Sequence, residues 1–489
     1  MDIKTHTAVL AVAAAALNCA CAQDIVGEID FAESAGRIRP ALHSSGWTPR
    51  SSKRAIHNDD NAIKALGMEF TRTHDWALVN AGQRIIDWHF IFPLEHLDAT
   101  DPANYVFGPT DHIIELARNA GLKIFYRLGT SIEHTEEAHF NACVPKDFAK
   151  VAEVFAGTVR HYNKGWANGK KWNIEYWEIW NEPDGIANMW CLSDEEVARF
   201  GGRGTPAARK YARDRFIEFY VTCLRRLKTE FPEIKVGGPA LCGTDLEYFR
   251  TILEKCRKAG VAPDFLSFHY YGREPDAMVQ NAAAIRALCD KMGFEKCELI
   301  CDEWHYLLAW DGVNGRNSTS AMVKRALDGP TGHNNIDSAC FTLSSLVKFQ
   351  SSKLDQAYFY GCAHEGNWGY MDNYKQFNKN FYACRMFGEL VRGYPNICGS
   401  KSMRDTVSTL AAKSADGRRA ALLVSDYRGI EQVLRFRVAG ADGAKHVSAR
   451  VLDYERDDIP VACDWHDGIL TLVKSEKNST AFMVEFEFP

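Results

Sequence analysis

Two glutamates hold the chemistry on offer in this sequence. Glu182 lies in Glu175-Tyr176-Trp177-Glu178-Ile179-Trp180-Asn181-Glu182-Pro183, an alternating, aromatic-rich run stopped by a proline. Pro183 has no backbone N–H and a fixed φ, so a strand cannot continue through it. Glu182 is left at the strand's C-terminal lip, with the amide of Asn181 just before it. Glu303 closes a second apolar run, Leu299-Ile300-Cys301-Asp302-Glu303, and aromatic residues follow at once. Two carboxyls facing across a sugar-sized gap are the apparatus of glycosidic bond cleavage: one stays protonated as general acid and the other ionised as nucleophile. Asp302 and Glu178 are weaker candidates. Alternation turns Asp302 outward if Glu303 faces in, and Glu178 precedes a better-placed carboxyl by four residues.

These strand ends face each other only if the strands close into a ring. Eight strand candidates begin near Ala41, Glu69, Leu122, Ile174, Lys235, Phe265, Glu298 and Ala357. Amphipathic helical runs separate them. Thr110 reads as an N-cap for the run Asp111 to Arg118, Gly121 as the residue after its end, and Leu122 to Leu128 as the next strand. The same grammar recurs at Leu246 to Gly260 and at Ala277 to Gly293. Strand–helix alternation of this length predicts an α/β fold, a (β/α)8 TIM barrel over 38–395. A doubly wound sheet is disfavoured because no glycine-rich fingerprint follows the first strand. In the ring, Glu182 ends strand four and Glu303 ends strand seven, which nearly face each other across the mouth.

After the helical stretch Asn378 to Val391, alternation continues without helices. Ala420–Val424, Gln432–Val438, Gly468–Val473 and Ala481–Phe486 predict a C-terminal antiparallel β-sandwich over 396–489, with a possible extra strand from 24–37.

Composition excludes other classes. The formal net charge is -5 and 25% of residues are charged, with no basic patch for nucleic acid and no lysine-rich run for an anionic membrane. Residues 1–22 read as a signal peptide: Lys4, an apolar run from Ala8 to Leu17, and Ala20-Cys21-Ala22 before Gln23. The expected location is secreted or periplasmic, with lipoprotein anchoring through Cys19 or Cys21 the weaker reading. No segment is long enough for a membrane span. Removing Cys19 and Cys21 from the 15 cysteines leaves thirteen, an odd number without metal spacing. They read as small buried residues, with Cys297 and Cys301 flanking one strand.

Trp180-Asn181-Glu182-Pro183 with the strand-seven glutamate resembles the large clan of retaining glycosidases built on this barrel. Further segments narrow the resemblance to glycoside hydrolase family 39, which includes β-xylosidases and α-L-iduronidases. Phe70-Thr71-Arg72-Thr73-His74 resembles its strand-two segment, Lys235 to Ala240 its strand-five segment, and Asp264 to Tyr271 its strand-six segment. The resemblance implies Glu182 as acid/base, Glu303 as nucleophile and Asn181 on the sugar 2-hydroxyl. It implies Tyr271 or His269 as the donor that holds Glu303, Arg72 as a supporting charge, and His74 on a sugar hydroxyl. It implies no cofactor and no metal, and an oligo- or polysaccharide as substrate.

The chain departs from the family's xylosidases in the loops. Phe359 stands where they carry a platform tryptophan, so Trp368 is the expected platform, and Glu365 is a possible substrate contact. Asp184-Gly185 follows strand four, Trp304-His305-Tyr306 follows the nucleophile, and Gly129 to His134 is also unlike them. A β-xyloside leads as substrate, with arabinosides, galactosides and uronides behind. A uronide would need a further cation, for which Arg127 is the candidate. A carbohydrate-binding barrel without turnover is the alternative. A metal-dependent isomerase or lyase would need clustered ligands from several strands.

Overall fold

The computed structural model describes residues 24–47, 60–76, 84–131, 142–185, 189–308, 329–361, 363–365, 368–371 and 376–489. The expected signal peptide and the second half of the Gly129–His134 loop lie outside them.

The chain opens with strand β1 (Ile25–Arg37), which belongs to the C-terminal sheet, and then enters the barrel. Eight parallel strands close the ring: β2 (Ser44–Ser45), β3 (Phe70–Arg72), β4 (Lys123–Leu128), β5 (Tyr176–Ile179), β6 (Lys235–Leu241), β7 (Phe265–Gly272), β8 (Glu298–Tyr306) and β9 (Gln356–Phe359). A helix follows each: α1 (Asp60–Leu66), α2 (Gly108–Asn119), α3 (Phe148–Lys164), α4 (Pro206–Glu230), α5 (Leu246–Lys258), α6 (Ala277–Lys291), α7 (Ile336–Phe349) and α8 (Lys379–Gly393).

Caps set several starts. Asp147 accepts from the Lys150 amide and Thr205 from Ala208, each satisfying a donor that the first turn leaves open. Three boundaries differ from the sequence reading, among them β8, which runs on through Tyr306 although Glu303 was expected to close it. The first barrel strand forms at Ser44 because Pro40 opens a short 3-10 turn, Pro40–Leu42, where a strand was expected. Helix α2 starts at Gly108, and Thr110 lies inside its first turn. Its hydroxyl donates to the Ile85 carbonyl at 2.5 Å instead of capping.

An apolar plug fills the lower barrel: Phe70, Phe125, Tyr176, Phe265, Ile300 and Tyr358. Rings of Phe125 and Tyr358 lie 5.1 Å apart, and those of Phe125 and Phe265 5.4 Å. Gly237 makes room for it, since a Cβ there would meet the Phe265 carbonyl oxygen at 2.3 Å. The plug makes the barrel a packed core open only at the strands' C-terminal mouth.

Past β9 a short parallel pair, β10 (Ala363–Glu365) and β11 (Gly369–Met371), lies outside the ring, and the second body is a ten-stranded sheet in the order β17-β16-β20-β14-β13-β12-β1-β15-β19-β18. Its strands are β12 (Asn396–Ser402), β13 (Val407–Lys413), β14 (Arg419–Asp426), β15 (Val433–Ala439), β16 (His446–Leu452), β17 (Asp457–Val461), β18 (Asp464–His466), β19 (Ile469–Val473) and β20 (Thr480–Glu487). All pairings are antiparallel except β1 with β15. Strands β1 and β20 are four places apart, roughly 19 Å in a flat sheet. Yet Phe31 and Phe486 meet edge to face at 5.2 Å, so the sheet folds over on itself as a sandwich. Helix α7 is buried along nearly its whole length. One side packs Phe341 and Phe349 on Trp304 of β8, and on the other the Ser425 hydroxyl of β14 donates to the Cys340 carbonyl at 2.9 Å. Among the described residues no helix is long and apolar enough to cross a membrane.

Candidate active site

Two-residue periodicity stacks polar side chains directly above the plug. Arg72 follows Phe70 on β3, Glu178 follows Tyr176 on β5, Ser267 follows Phe265 on β7, and Asp302 follows Ile300 on β8. All four are 0–1% exposed. His269 and Tyr271 continue the β7 column toward the mouth.

Alternation alone brings neither catalytic candidate inward. On β8, Ile300 and Asp302 face in, which would turn Glu303 out. The ladder slips here: Phe268 pairs with Cys301 and His269 with Glu303, leaving Asp302 as the extra residue of a bulge. The same slip appears against β9. The bulge brings Glu303 back to the inner face, so both carboxyls point into the barrel. This overturns the expectation that Asp302 faces outward. On β5, Trp180 takes a left-handed φ of 78° and packs outward on Trp190 and Phe219. Asn181 and Glu182 then turn to the mouth, and Glu182, with φ 47°, is anchored by its amide donating to the Ala240 carbonyl at 2.8 Å. Non-glycine residues in this region are strained by about 1–3 kcal/mol each and gather at functional sites.

The carboxyls converge. Glu182, His269 and Glu303 each offer an atom within 4.8 Å of the others. Arg72 donates through Nη1 to Glu303 Oε1 at 2.7 Å, through Nη2 to Asn181 Oδ1 at 2.8 Å and through Nε to Glu178 Oε2 at 2.7 Å. Tyr271 donates to Glu303 Oε2 at 2.7 Å, and His74 Nε2 lies 3.0 Å from Oε1. His269 Nδ1 is 2.7 Å from Glu182 Oε1 and 3.4 Å from Glu303 Oε2.

Burial pushes the Glu303 carboxyl up, but His269, His74 and Arg72 overcome it and hold it well below the usual range. The imidazole of His269 goes the other way: burial opposes its charge, yet Glu303 and Asp302 raise it well above an ordinary histidine. Burial pushes Glu178 up to about 8 against Arg72, with Asp302 adding to the rise, whereas Asp302 is lowered by Arg72 and His269 despite its burial. The Asp302 carboxylate beside it thus helps to keep the proton on Glu178, because like charges in one site resist ionising together. After Pro183, burial lifts Asp184 to about 6 although its Oδ1 accepts the Cys242 amide at 3.0 Å.

The structure thus brings Arg72, His74, Asn181, Glu182, His269, Tyr271 and Glu303 together. Tyr271 takes the bond to Glu303, while His269 sits between the two glutamates. His74, expected on a sugar hydroxyl, has its Nε2 turned onto Glu303, and its Nδ1 accepts the Asp75 amide at 2.7 Å. Trp368 stands at the rim, edge-on to Tyr271 at 5.6 Å and to Tyr360 at 5.3 Å. Phe359 is buried against Trp304 and His305, away from any platform position. Arg127 is engaged by Asp75 at 3.1 Å and the Thr130 carbonyl at 2.9 Å. The side chain of Glu365 lies outside the described residues. Pattern reading ranked Glu178 and Asp302 below the catalytic pair, and for Asp302 the cause is that no alternation rule announces a bulge.

The model of the glycosyl hydrolases family 39 matches residues 35–296. A β-xylosidase of Geobacillus stearothermophilus is 25% identical over 244 residues, 45% of this chain but only 43% of that relative's length. Among solved structures, a glucosidase from Croceicoccus marinus superposes with a TM-score of 0.70 at 20% identity, covering 95% of this chain and 99% of that one. A β-xylosidase from Caulobacter crescentus does so with a TM-score of 0.64 at 17% identity, over 95% and 99%. These two likenesses show the fold.

Proposed function

This chain belongs to family 39 of the glycosyl hydrolases, and from that we propose that it works by double displacement with Glu182 as acid/base and Glu303 as nucleophile. Glu182 protonates the departing oxygen while Glu303 attacks the anomeric carbon; Glu182 then deprotonates the water that releases the sugar. The observation that carries this reading is the spacing, with carboxylate oxygens of Glu182 and Glu303 within 4.8 Å. An inverting enzyme needs roughly 6.5–9.5 Å to admit a water between them.

The assignment of roles follows the charges. Glu303 has four cationic or donor neighbours, Arg72, His74, His269 and Tyr271, that keep it ionised, as a nucleophile must be. Glu182 is 18% exposed, on the side from which a leaving group can depart. Arg72 pins Asn181 through Oδ1, which leaves Nδ2 as the donor to the sugar 2-hydroxyl.

A β-xyloside is the proposed substrate, taken at a chain end because the sandwich sits close against the barrel. Engagement of Arg127 within the protein weighs against a uronide. Residues 1–22 are proposed to direct secretion, and N-terminal sequencing of the exported protein should begin at Gln23.

Glu303→Gly with azide tests the mechanism. Turnover of a nitrophenyl glycoside should return as a glycosyl azide of inverted configuration; a variant retaining wild-type hydrolysis without azide would overturn the assignment. A panel of nitrophenyl glycosides tests the sugar.

A further inference from the structure

One buried carboxylate has no part in double displacement. Asp302 is 1% exposed, and neither of its oxygens has a hydrogen-bond partner. Its neighbours are Arg72 Nε at 3.1 Å and His269 Nε2 at 3.5 Å, each to Oδ2. That same Nε2 is itself buried without a hydrogen bond. Besides the ion pair with Arg72, two buried groups of opposite kind therefore face each other without a formed hydrogen bond, and an ångström or less of movement joins them. A buried charge left without such a partner costs several kcal/mol.

Direction matters as much as distance. His269 presents Nε2 to Asp302 and Nδ1 to Glu182 and Glu303. The imidazole is thus a bridge, with the inner carboxylate at one end and both catalytic carboxyls at the other. Only the β8 bulge allows this, because it turns Asp302 and Glu303 to the same face.

We propose that Asp302 is a positioning residue, the counter-ion that fixes His269 as the shared cation between Glu182 and Glu303. Resting on the roles proposed above, this gives the site a fixed positive charge that no substrate supplies. With Nδ1–H held on Glu182 Oε1, Oε2 is the atom left to give its proton to the leaving oxygen. When Glu303 is consumed in the glycosyl-enzyme, the cation remains to stabilise Glu182 as carboxylate, the form that activates water. Among the described residues the titratable groups around His269 are Glu178, Glu182 and Asp184 from β5 and its loop, Asp302 and Glu303 from β8, and Arg72 from β3. Tyr271 on the same strand and the Cys242 thiol after β6 complete the ring of titratable neighbours.

The test compares Asp302→Asn, which keeps the shape and removes the charge, with His269→Gln and the double variant. Without the cation both catalytic carboxyls lose a stabilising charge a few ångströms away. The two limbs of the kcat/KM–pH profile should then move upward together by about one pH unit. His269→Gln should produce the same shift, and the double variant no further one. A drop in kcat with unmoved limbs, or additive shifts, would overturn the proposal in favour of a merely structural role. Proton NMR of the His269 ring reads the same point without activity: in the wild type it should keep its charge well above the pH at which an ordinary histidine loses its proton, and in Asp302→Asn it should lose it at lower pH. A wild-type ring titrating near 6.5 would equally overturn it. Failure of the azide experiment would strike the catalytic roles and leave this titration result standing.

Discussion

Arg72 Nη1 donates to Glu303 Oε1 at 2.7 Å from a side chain that is 1% exposed. The same guanidinium also reaches Asn181, Glu178 and Asp302, so a single cation ties β5 to β8. Arg72→Met should strand these acids and destabilise the fold by about 3–5 kcal/mol, with kcat falling at least 100-fold. Arg72→Lys should recover stability better than rate, because one ammonium cannot hold so many acceptors in fixed directions. Thermal melts and kinetics on one nitrophenyl substrate would check both; equal recovery of the two would refute the reasoning.

Tyr271 bonds Glu303 Oε2 at 2.7 Å. Removing the hydroxyl in Tyr271→Phe withdraws one donor from the ionised nucleophile, worth about 1.5–3 kcal/mol for a charge-assisted bond. The expected result is a 10- to 100-fold fall in kcat/KM, in order of magnitude, and an acid limb moved to higher pH. An unmoved acid limb would mean that Glu303 does not depend on this bond.

Trp368 meets Tyr271 and Tyr360 edge-on at the rim. Trp368→Ala should cost about 1–2 kcal/mol of substrate binding, seen in KM more than in kcat. Trp368→Phe should recover part of it. If kcat alone fell, the residue would be shaping the catalytic carboxyls rather than holding the sugar.

Glu178 supplies a pH dependence of stability. Below its ordinary value of 4.5 the carboxyl is protonated in both states and contributes no slope. Between 4.5 and about 8 the unfolded chain ionises while the folded one keeps its proton, so stability falls as pH rises through that window. Glu178→Gln cannot titrate. Its melting temperature should therefore gain on the wild type between pH 5 and pH 8, and parallel curves would contradict the assignment.

Phe31 tests the sandwich. It is 2% exposed and its ring meets Phe486 at 5.2 Å, although one lies near the start of the chain and the other near its end. Phe31→Ala should cost about 3–5 kcal/mol. Turnover measured well below the melting transition should change little, because the barrel's own core is separate.

Much of the architecture was legible in the chain. Strand–helix alternation marked the eight barrel strands, most of them within two residues of where they begin, because buried parallel strands are continuous apolar runs and the helices between them are amphipathic. The exception is β2, only two residues long, where Pro40 started a turn instead. In the sandwich, four strands were marked by alternation. Of those missed, Asp457–Val461 and Asp464–His466 are short, largely exposed and open on aspartates, so they carry little apolar signal, while Asn396–Ser402, Val407–Lys413 and His446–Leu452 are of ordinary length and were missed as well.

By itself the sequence determined which carboxyls stand near the C-terminal ends of their strands, although β8 runs on through Tyr306 rather than closing at Glu303, because Pro183 and the apolar runs before Glu182 and Glu303 are local features of the backbone and its hydrophobic pattern. Where those carboxyls point was decided only in the tertiary structure. The bulge at Asp302 and the left-handed turn at Trp180 are held by ladders and packing from neighbouring strands, which period-two alternation cannot register. For the same reason Asp302, read from the chain as an outward bystander, stands against His269 in the barrel's interior. The charges that set each proton come from β3, β5, β7 and β8 at once, and only closure of the ring brings them within a few ångströms.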